Sequence, residues 1–409
     1  MGPKLQQLQG LATGAVVAGA VLCVAGFFLG GGYHVLESYL FSYMFWIGVT
    51  IGSLGLLMMH HAVGGGWGFL IRRFLEAGGS PVTFAVMGVL LIPALLPLFM
   101  PEALPTLWAY GGEHPGWASP LAAGRDLIQV KSGYLNIPRF LAFTVAYFVI
   151  WIGLALAFQK WSRVQDERAD AGVFVKANYW GAGGVLLLVT TVTFMSVDWV
   201  MSLEPEWFSS IFGLLFVASQ ALSTLALMLV LLNYLAGGTT LLRKVPDGYL
   251  RDLGNLTLAT IMLWAYMSFS QYLITFSGNT AEEVIWYVHR NQHGWWIFPV
   301  LLIALHFFLP FFILLLGSKV KRDPSRLAQV ALFLVVMRFV DLFWIVVPTF
   351  RPSISFNFAD LGAPLLLGGI WLIVFINQVK GRTVVPVYDL RLQEGLAAQH
   401  HAQEVISHG

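Results

Sequence analysis

Residues Val330–Val347 read VALFLVVMRFVDLFWIVV, an apolar run of eighteen interrupted only by Arg338 and Asp341. A bilayer-crossing helix needs about 20 mostly apolar residues, each rising about 1.5 Å, so this run reads as a membrane span. The two charges lie three residues apart, and a helix projects both from one face, where they can pair. A lone charge at mid-bilayer costs about 2.5–3.5 kcal/mol of insertion free energy. Such groups are kept either to brace a helix bundle or to let charge cross.

The rest of the chain repeats the pattern. Of 409 residues, 57% are hydrophobic and only 11% charged, against roughly a quarter charged in soluble domains. Mean hydropathy is +0.74. The net charge of +2 is spread over the connections, so nothing points to nucleic acid. The single cysteine, Cys23, excludes an internal disulfide, an iron–sulfur cluster and a CxxCH haem attachment within this chain. The first apolar run follows one lysine and leads to no small-x-small cleavage signal, so it reads as a retained helix.

Ten spans are predicted, making an all-α polytopic membrane protein. The first five are Leu11–Leu29, Tyr39–His60, Val82–Met100, Phe140–Gln159 and Tyr179–Val197. Phe208–Tyr234, Leu253–Phe276, Trp295–Gly317, Leu327–Val347 and Leu361–Val379 complete the set. Residues 1–382 form one transmembrane domain and 383–409 a tail whose histidines, His400, His401 and His408, read as a docking or disordered segment rather than a metal site. Seventeen basic residues fall on the N-terminal side, against five opposite: Arg125, Lys131, Arg139, Arg290 and Arg351. That bias places both termini in the cytoplasm. The loop Pro101–Pro138 is expected to lie along the outer interface.

Polar residues inside the spans are the next signal. Thr257, Thr260, Trp264, Ser268, Gln271 and Thr275 recur at steps of three and four, one continuous helix face. Such a face can pass hydrogen bonds along bound waters, or simply join neighbouring helices. Span six has Ser219, Gln220, Ser223 and Thr224, and span five Thr190, Thr191, Thr193 and Ser196. His306 sits mid-span, while His60 and His61 end span two. A b-type haem needs two ligands at matched depth, and these differ by about half a membrane. His306 is either a member of a proton path or a satisfied core histidine. Between spans five and six stand Asp198, Glu204 and Glu206; between seven and eight, Glu282, Glu283, His289, Arg290 and His293. This acidic rim could exchange protons, be a solvated face, or dock a basic partner.

Several short segments in order carry a family resemblance. They are His60-His61 with Gly64-Gly65-Gly66-Trp67-Gly68, Arg72-Arg73 and Glu76; the stretch Ser196–Ser209 around Asp198-Trp199 and Glu204-Pro205; Asp252–Asn255; Gln271-Tyr272 with Gly278-Asn279, Glu282-Glu283 and Trp286; and Arg338–Trp344 with Pro348. Together they resemble the ActF-type membrane subunit of bacterial alternative complex III, a quinol-oxidising respiratory or photosynthetic assembly distantly similar to the NrfD-like polysulfide-reductase membrane subunits. The resemblance covers about residues 40–380.

It implies ten helices, the middle eight in two four-helix bundles, in the bacterial inner membrane. It also implies partners: a homologous NrfD-like quinol-binding membrane subunit, multihaem and monohaem cytochrome c subunits, and an iron–sulfur subunit of molybdopterin-enzyme type. Haem and iron–sulfur clusters are then expected on those partners, with quinol or quinone the one cofactor open to this chain and no metal site. On the resemblance, Asp198, Gln271, His306, Arg338 and Asp341 belong to a candidate proton path, with Ser268 and Thr260 on the span-seven face. The alternative is direct quinol oxidation, with Asp198 and Trp199, or Glu282 with His289 and His293, supplying the polar partners. A secondary transporter is the third reading; no internal repeat is evident, and Pro93 and Pro97 lack counterparts.

Overall fold

The computed structural model describes residues 2–100, 106–108, 129–168, 170–237 and 247–380. The tail after residue 382, most of the 101–138 loop and the Glu282 side chain lie outside that description. Among the described residues every regular element is helical. The long helices are α1 (Gly2–Gly30), α2 (Gly32–Val63), α4 (Pro81–Phe99), α5 (Ile137–Glu167), α6 (Ala171–Trp199) and α7 (Phe212–Ala236). They continue with α8 (Asp247–Gly278), α10 (Ile297–Leu316), α11 (Pro324–Val346) and α12 (Ala359–Val379). Two short helices, α3 (Trp67–Gly78) and α9 (Ala281–His289), lie between them.

Nine of these helices are long and apolar enough to cross a membrane, so the chain is a multi-pass membrane protein. The tenth predicted span lies within α8, a helix of 32 residues whose hydroxyl and amide face dilutes its apolar content. Starts are set by local chemistry. Ser80 caps α4, Asn136 caps α5, Asp170 caps α6 and Asp323 caps α11, each accepting from backbone N–H groups of the first turn. Each such cap stabilises a helix by about 1 kcal/mol. Pro81 and Pro324 follow their caps directly, where no intrahelical N–H is lost.

Helices α2, α4, α5 and α6 pack as one four-helix bundle, and α7, α8, α10 and α11 as a second. Helix α2 is the hub: it also touches α7, α11, α3, α1 and α12, and almost its whole circumference is buried. That suits a helix apolar all round. Helices α1 and α12 pair at the side of α2 through bare backbone. A Cβ built on Gly19 would stand 2.4 Å from the Leu366 nitrogen, and one on Gly362 2.8 Å from the Cys23 nitrogen. Small residues allow this approach, which in lipid replaces the missing hydrophobic drive between helices.

Three threonines of the spans join neighbouring helices. Thr50, Thr191 and Thr144 accept from the indole N–H of Trp371 (2.9 Å), Trp151 (3.0 Å) and Trp199 (3.0 Å) on neighbouring helices. Thr50 and Thr191 meanwhile donate to a carbonyl one turn back on their own helix. A buried indole N–H needs such an acceptor, and the hydroxyl loses nothing by providing it.

Helix α10 departs from the uniform span expected. Residues Leu302–Phe308 form a π-helical segment containing His306. Pro310 cannot donate to the His306 carbonyl, and its ring crowds that oxygen, so the helix widens there. Within the 101–138 segment, residues 106–108 are buried, whereas residues 129–136 are exposed or half-buried. Trp108 is buried against Phe140, and its indole donates to the Trp199 carbonyl at 3.3 Å.

Candidate functional site

The centre of the second bundle is built from three helices. From α11, Arg338 and Asp341 are only 2% and 3% exposed, and they form a hydrogen-bonded ion pair. The guanidinium also lies over Phe216 of α7, 5.8 Å from the ring centre. From α8, the Trp264 side chain reaches the Asp341 carboxyl. From α10, His306 packs edge-on against Trp264, ring centres 4.4 Å apart. His306 is fully buried and neither ring nitrogen has a hydrogen-bond partner. It is therefore not a core histidine satisfied by a protein partner; the widened helix turns it onto the indole.

Beside this centre, a cavity of about 630 Å³ opens between α8 and α10. Asp341, Ser268, Gln271 and Trp264 line it, while Arg338 and His306 stand behind the wall. Of the central pair, only the carboxylate reaches the cavity. The predicted polar face of α8 does turn inward: Thr257, Thr260, Trp264, Gln271 and Thr275 are all buried. Its lower half is spent on the helix itself, since Thr257 donates to the Leu253 carbonyl (2.9 Å) and Thr260 to that of Thr257 (2.8 Å). The upper half, Ser268 and Gln271, faces the cavity, and the Gln271 amide reaches Tyr287 at 3.4 Å.

Asp198 belongs elsewhere, at the end of the first bundle. Its carboxylate accepts from Tyr147 (2.5 Å), Tyr134 (2.9 Å) and Arg139 (3.0 Å). Adjacent Trp199 is buried, its indole on Thr144. The structure thus separates Asp198 from Asp341, Arg338, His306 and Gln271, which it brings together.

Glu204 forms a third cluster, joining the α6–α7 connection to α9 and the end of α11. It takes hydrogen bonds from Arg290 and Thr349, both at 2.7 Å, and lies 3.8 Å from His289. Arg290 also donates to the carbonyls of Trp344 (3.3 Å) and Ile345 (2.6 Å), closing the C-terminal turn of α11. Burial works to raise the Glu204 carboxyl, but Arg290, with the Thr349 hydrogen bond and nearby His289, outweighs it and holds it below the usual range. His293 is exposed in a left-handed turn (φ 48°). Of the expected acidic rim, Asp198, Glu204 and Glu206 are buried rather than solvated, while Glu283 is half-buried. Three cations of the sparse side, Arg139, Arg290 and Arg351, neutralise buried carboxylates, and Lys131 donates to the Pro205 carbonyl at 2.6 Å.

At the opposite end, α3 buries Arg72, Arg73 and Glu76 against the last turns of α5. Burial pushes the Glu76 carboxyl up, yet Arg73 and Arg72 overcome it and bring it down to about 2. His60 and His61 pack on aromatic rings there, His60 on Trp67 and Phe69 and His61 on Phe158.

No protein-family model matches this chain, and neither does any curated protein. The reading of the site therefore rests on its own geometry. Two participants escape sequence reasoning, Trp344 and Tyr287 on the cavity wall. A usable signal existed for a third feature: Pro310 four residues after His306 marks the helix distortion.

Proposed function

We propose that this chain is a membrane subunit of a quinol-oxidising assembly of alternative complex III type, anchoring the complex and passing protons through its second bundle at Asp341. The observation that carries the proton role is the asymmetry of the central pair. A buried carboxylate faces a cavity, while its cation is held behind the wall. Ionisable groups within a membrane face cavities where protons or ions move. Asp341 would exchange protons with Arg338 as its standing counter-charge, and Gln271 and Ser268 would orient the approaching group. The ordered motifs support the family reading, with both termini cytoplasmic in a bacterial inner membrane. The partners are then a homologous NrfD-like subunit, cytochrome c subunits and an iron–sulfur subunit carrying the redox centres. Quinol oxidation on Asp198 and Trp199 has less support, because that carboxylate already has three side-chain partners.

Asp341→Asn in the intact complex tests the proton role by the protons released per quinol oxidised. A fall in that ratio with normal assembly is expected. An unchanged ratio in an assembled complex removes the conducting role and leaves anchoring.

A further inference from the structure

On the side sparse in basic residues, Arg139, Arg290 and Arg351 are each taken up by a buried carboxylate. Lys131 differs. Among the described residues it has no carboxylate partner, and its ammonium donates instead to the Pro205 carbonyl at 2.6 Å. An ammonium has three N–H donors, so one carbonyl leaves most of its capacity unspent. A tight turn fixes the residue in place: the Tyr134 and Leu135 amides both donate to the Lys131 carbonyl, at 2.9 and 2.8 Å.

Lys131 lines a cavity of about 270 Å³ between the turn that precedes α5 and the α6–α7 connection. Trp207 lines it too; this side chain is buried, and its indole N–H has no acceptor among the described residues. Buried donors are almost always satisfied, so an acceptor from outside the chain fits there. Among the described residues no Asp or Glu lines the cavity. Asp198, bonded to Tyr134 of the cavity wall, is already neutralised by Arg139. The cavity therefore offers a surplus positive charge and a buried donor, with no competing anion.

Depth and size narrow the ligand. Helix α6 ends at Trp199 and α7 starts at Phe212, so the cavity is level with the ends of two membrane-length helices, where lipid headgroups lie. The anion found at that level is the lipid phosphodiester. Pockets that enclose a whole drug-sized molecule run to about 300–1,000 Å³. This one is smaller and suits a headgroup whose chains remain outside. Apolar residues give those chains a track: Phe208 of the lining is exposed, as is Phe194, one turn before the lining residue Val197 on α6.

We propose that this cavity binds the phosphodiester headgroup of an anionic phospholipid, with Lys131 and the Trp207 indole donating to the phosphate oxygens. The acyl chains run along the exposed face of α6 past Phe194. The site belongs to the end of the first bundle, apart from Asp341, and needs nothing of the proton role.

Native mass spectrometry of the full chain in detergent micelles, titrated with dioleoyl phosphatidylglycerol, gives the Kd of the tightest lipid adduct. Phosphatidylglycerol should bind about tenfold more tightly than phosphatidylcholine, and Lys131→Gln should remove that preference by raising the phosphatidylglycerol Kd about tenfold. Trp207→Phe keeps a ring against Trp286 and loses only the N–H, so Kd should rise about fivefold. Lys160→Gln, an exposed cation near the other end of α5, should leave Kd unchanged. Inorganic phosphate and glycerophosphoglycerol, at the lipid's own concentration, should not displace it. If Trp207→Phe fails to fold, Lys131→Gln on its half-buried turn still decides. Equal affinity for the two lipids, or an unchanged Kd in Lys131→Gln, overturns the proposal. Displacement by either soluble phosphate overturns the lipid as the source and leaves a site for free phosphate.

Discussion

Replacing Arg290 by leucine should convert a stabilising carboxylate into a liability whose size depends on pH. Arg290 and Glu204 are 1% and 3% exposed, and among the described residues the guanidinium is the only arginine or lysine paired with that carboxylate. Without it, Glu204 keeps the Thr349 hydroxyl and the distant His289. Breaking a buried pair by removing one partner costs about 3–5 kcal/mol. The carboxylate can limit this by taking a proton. At roughly 1.36 kcal/mol per unit, protonating a group of ordinary value about 4.3 at pH 7 costs about 4 kcal/mol. The loss for Arg290→Leu at pH 7 is therefore about 4 kcal/mol, plus about 1 kcal/mol for each α11 carbonyl left unpaired.

The sign of the pH dependence is the sharper test. In the unaltered protein the Glu204 carboxyl is held below its usual range, so its contribution is full above about pH 4.3 and is lost as pH falls further. In Arg290→Leu the folded state binds the extra proton, so the penalty shrinks by about 1.4 kcal/mol per unit as pH drops from 7 toward 5. Equilibrium unfolding by dodecyl sulfate in dodecylmaltoside micelles at pH 7, 6 and 5 measures the difference between the two proteins. Glu204→Gln combined with Arg290→Leu should remove the pH dependence of that difference. A difference below about 1 kcal/mol that is flat across this range would refute the buried pairing.

Glu76→Gln should cost about 3 kcal/mol at pH 7, from a carboxyl held at about 2 instead of about 4.3. That contribution is present above about pH 4.3 and disappears as pH falls through 2, which unfolding measured on both proteins at pH 7 and at low pH would show. Gly362→Leu should separate α1 from α12, because a Cβ there already meets the Cys23 nitrogen at 2.8 Å, whereas Gly14→Leu points into open space and should be silent. Cross-linking of cysteines placed at Gln9 and Lys380, whose side chains lie 2.7 Å apart, reports the pairing. Trp371→Phe should cost about 1 kcal/mol by orphaning the Thr50 acceptor, read by the same unfolding titration.

Much of the architecture was legible because a bilayer imposes a local rule. Each span must supply its own backbone hydrogen bonds and about 20 apolar residues, so hydropathy along the chain finds it. The inward face of α8 was equally readable, since Thr257, Thr260, Trp264, Gln271 and Thr275 share one side at the helical period. The two-bundle arrangement came from the family resemblance, and the packing of α2, α4, α5 and α6 against α7, α8, α10 and α11 agrees with it.

The identity of the partners was not legible. Asp198 and Glu204 are six residues apart in sequence, yet one is held by Tyr134, Arg139 and Tyr147 and the other by Arg290 and Thr349. Hydropathy marks both as outer-side acids and cannot tell a solvated rim from buried ion pairs. Nor can it tell that Thr257 and Thr260 return their protons to their own helix while Gln271 meets a cavity.

By itself the sequence determined that Arg338 and Asp341 share a helix face inside a membrane span and can pair, because three residues separate them on a helix. Tertiary structure alone decided that the carboxylate looks into a cleft and the guanidinium does not. That depends on how α8 and α10 diverge beside α11, a relation among residues tens of positions apart, such as Trp264, His306 and Asp341. The energy of such packing is summed across helices, and no single window of the chain contains it.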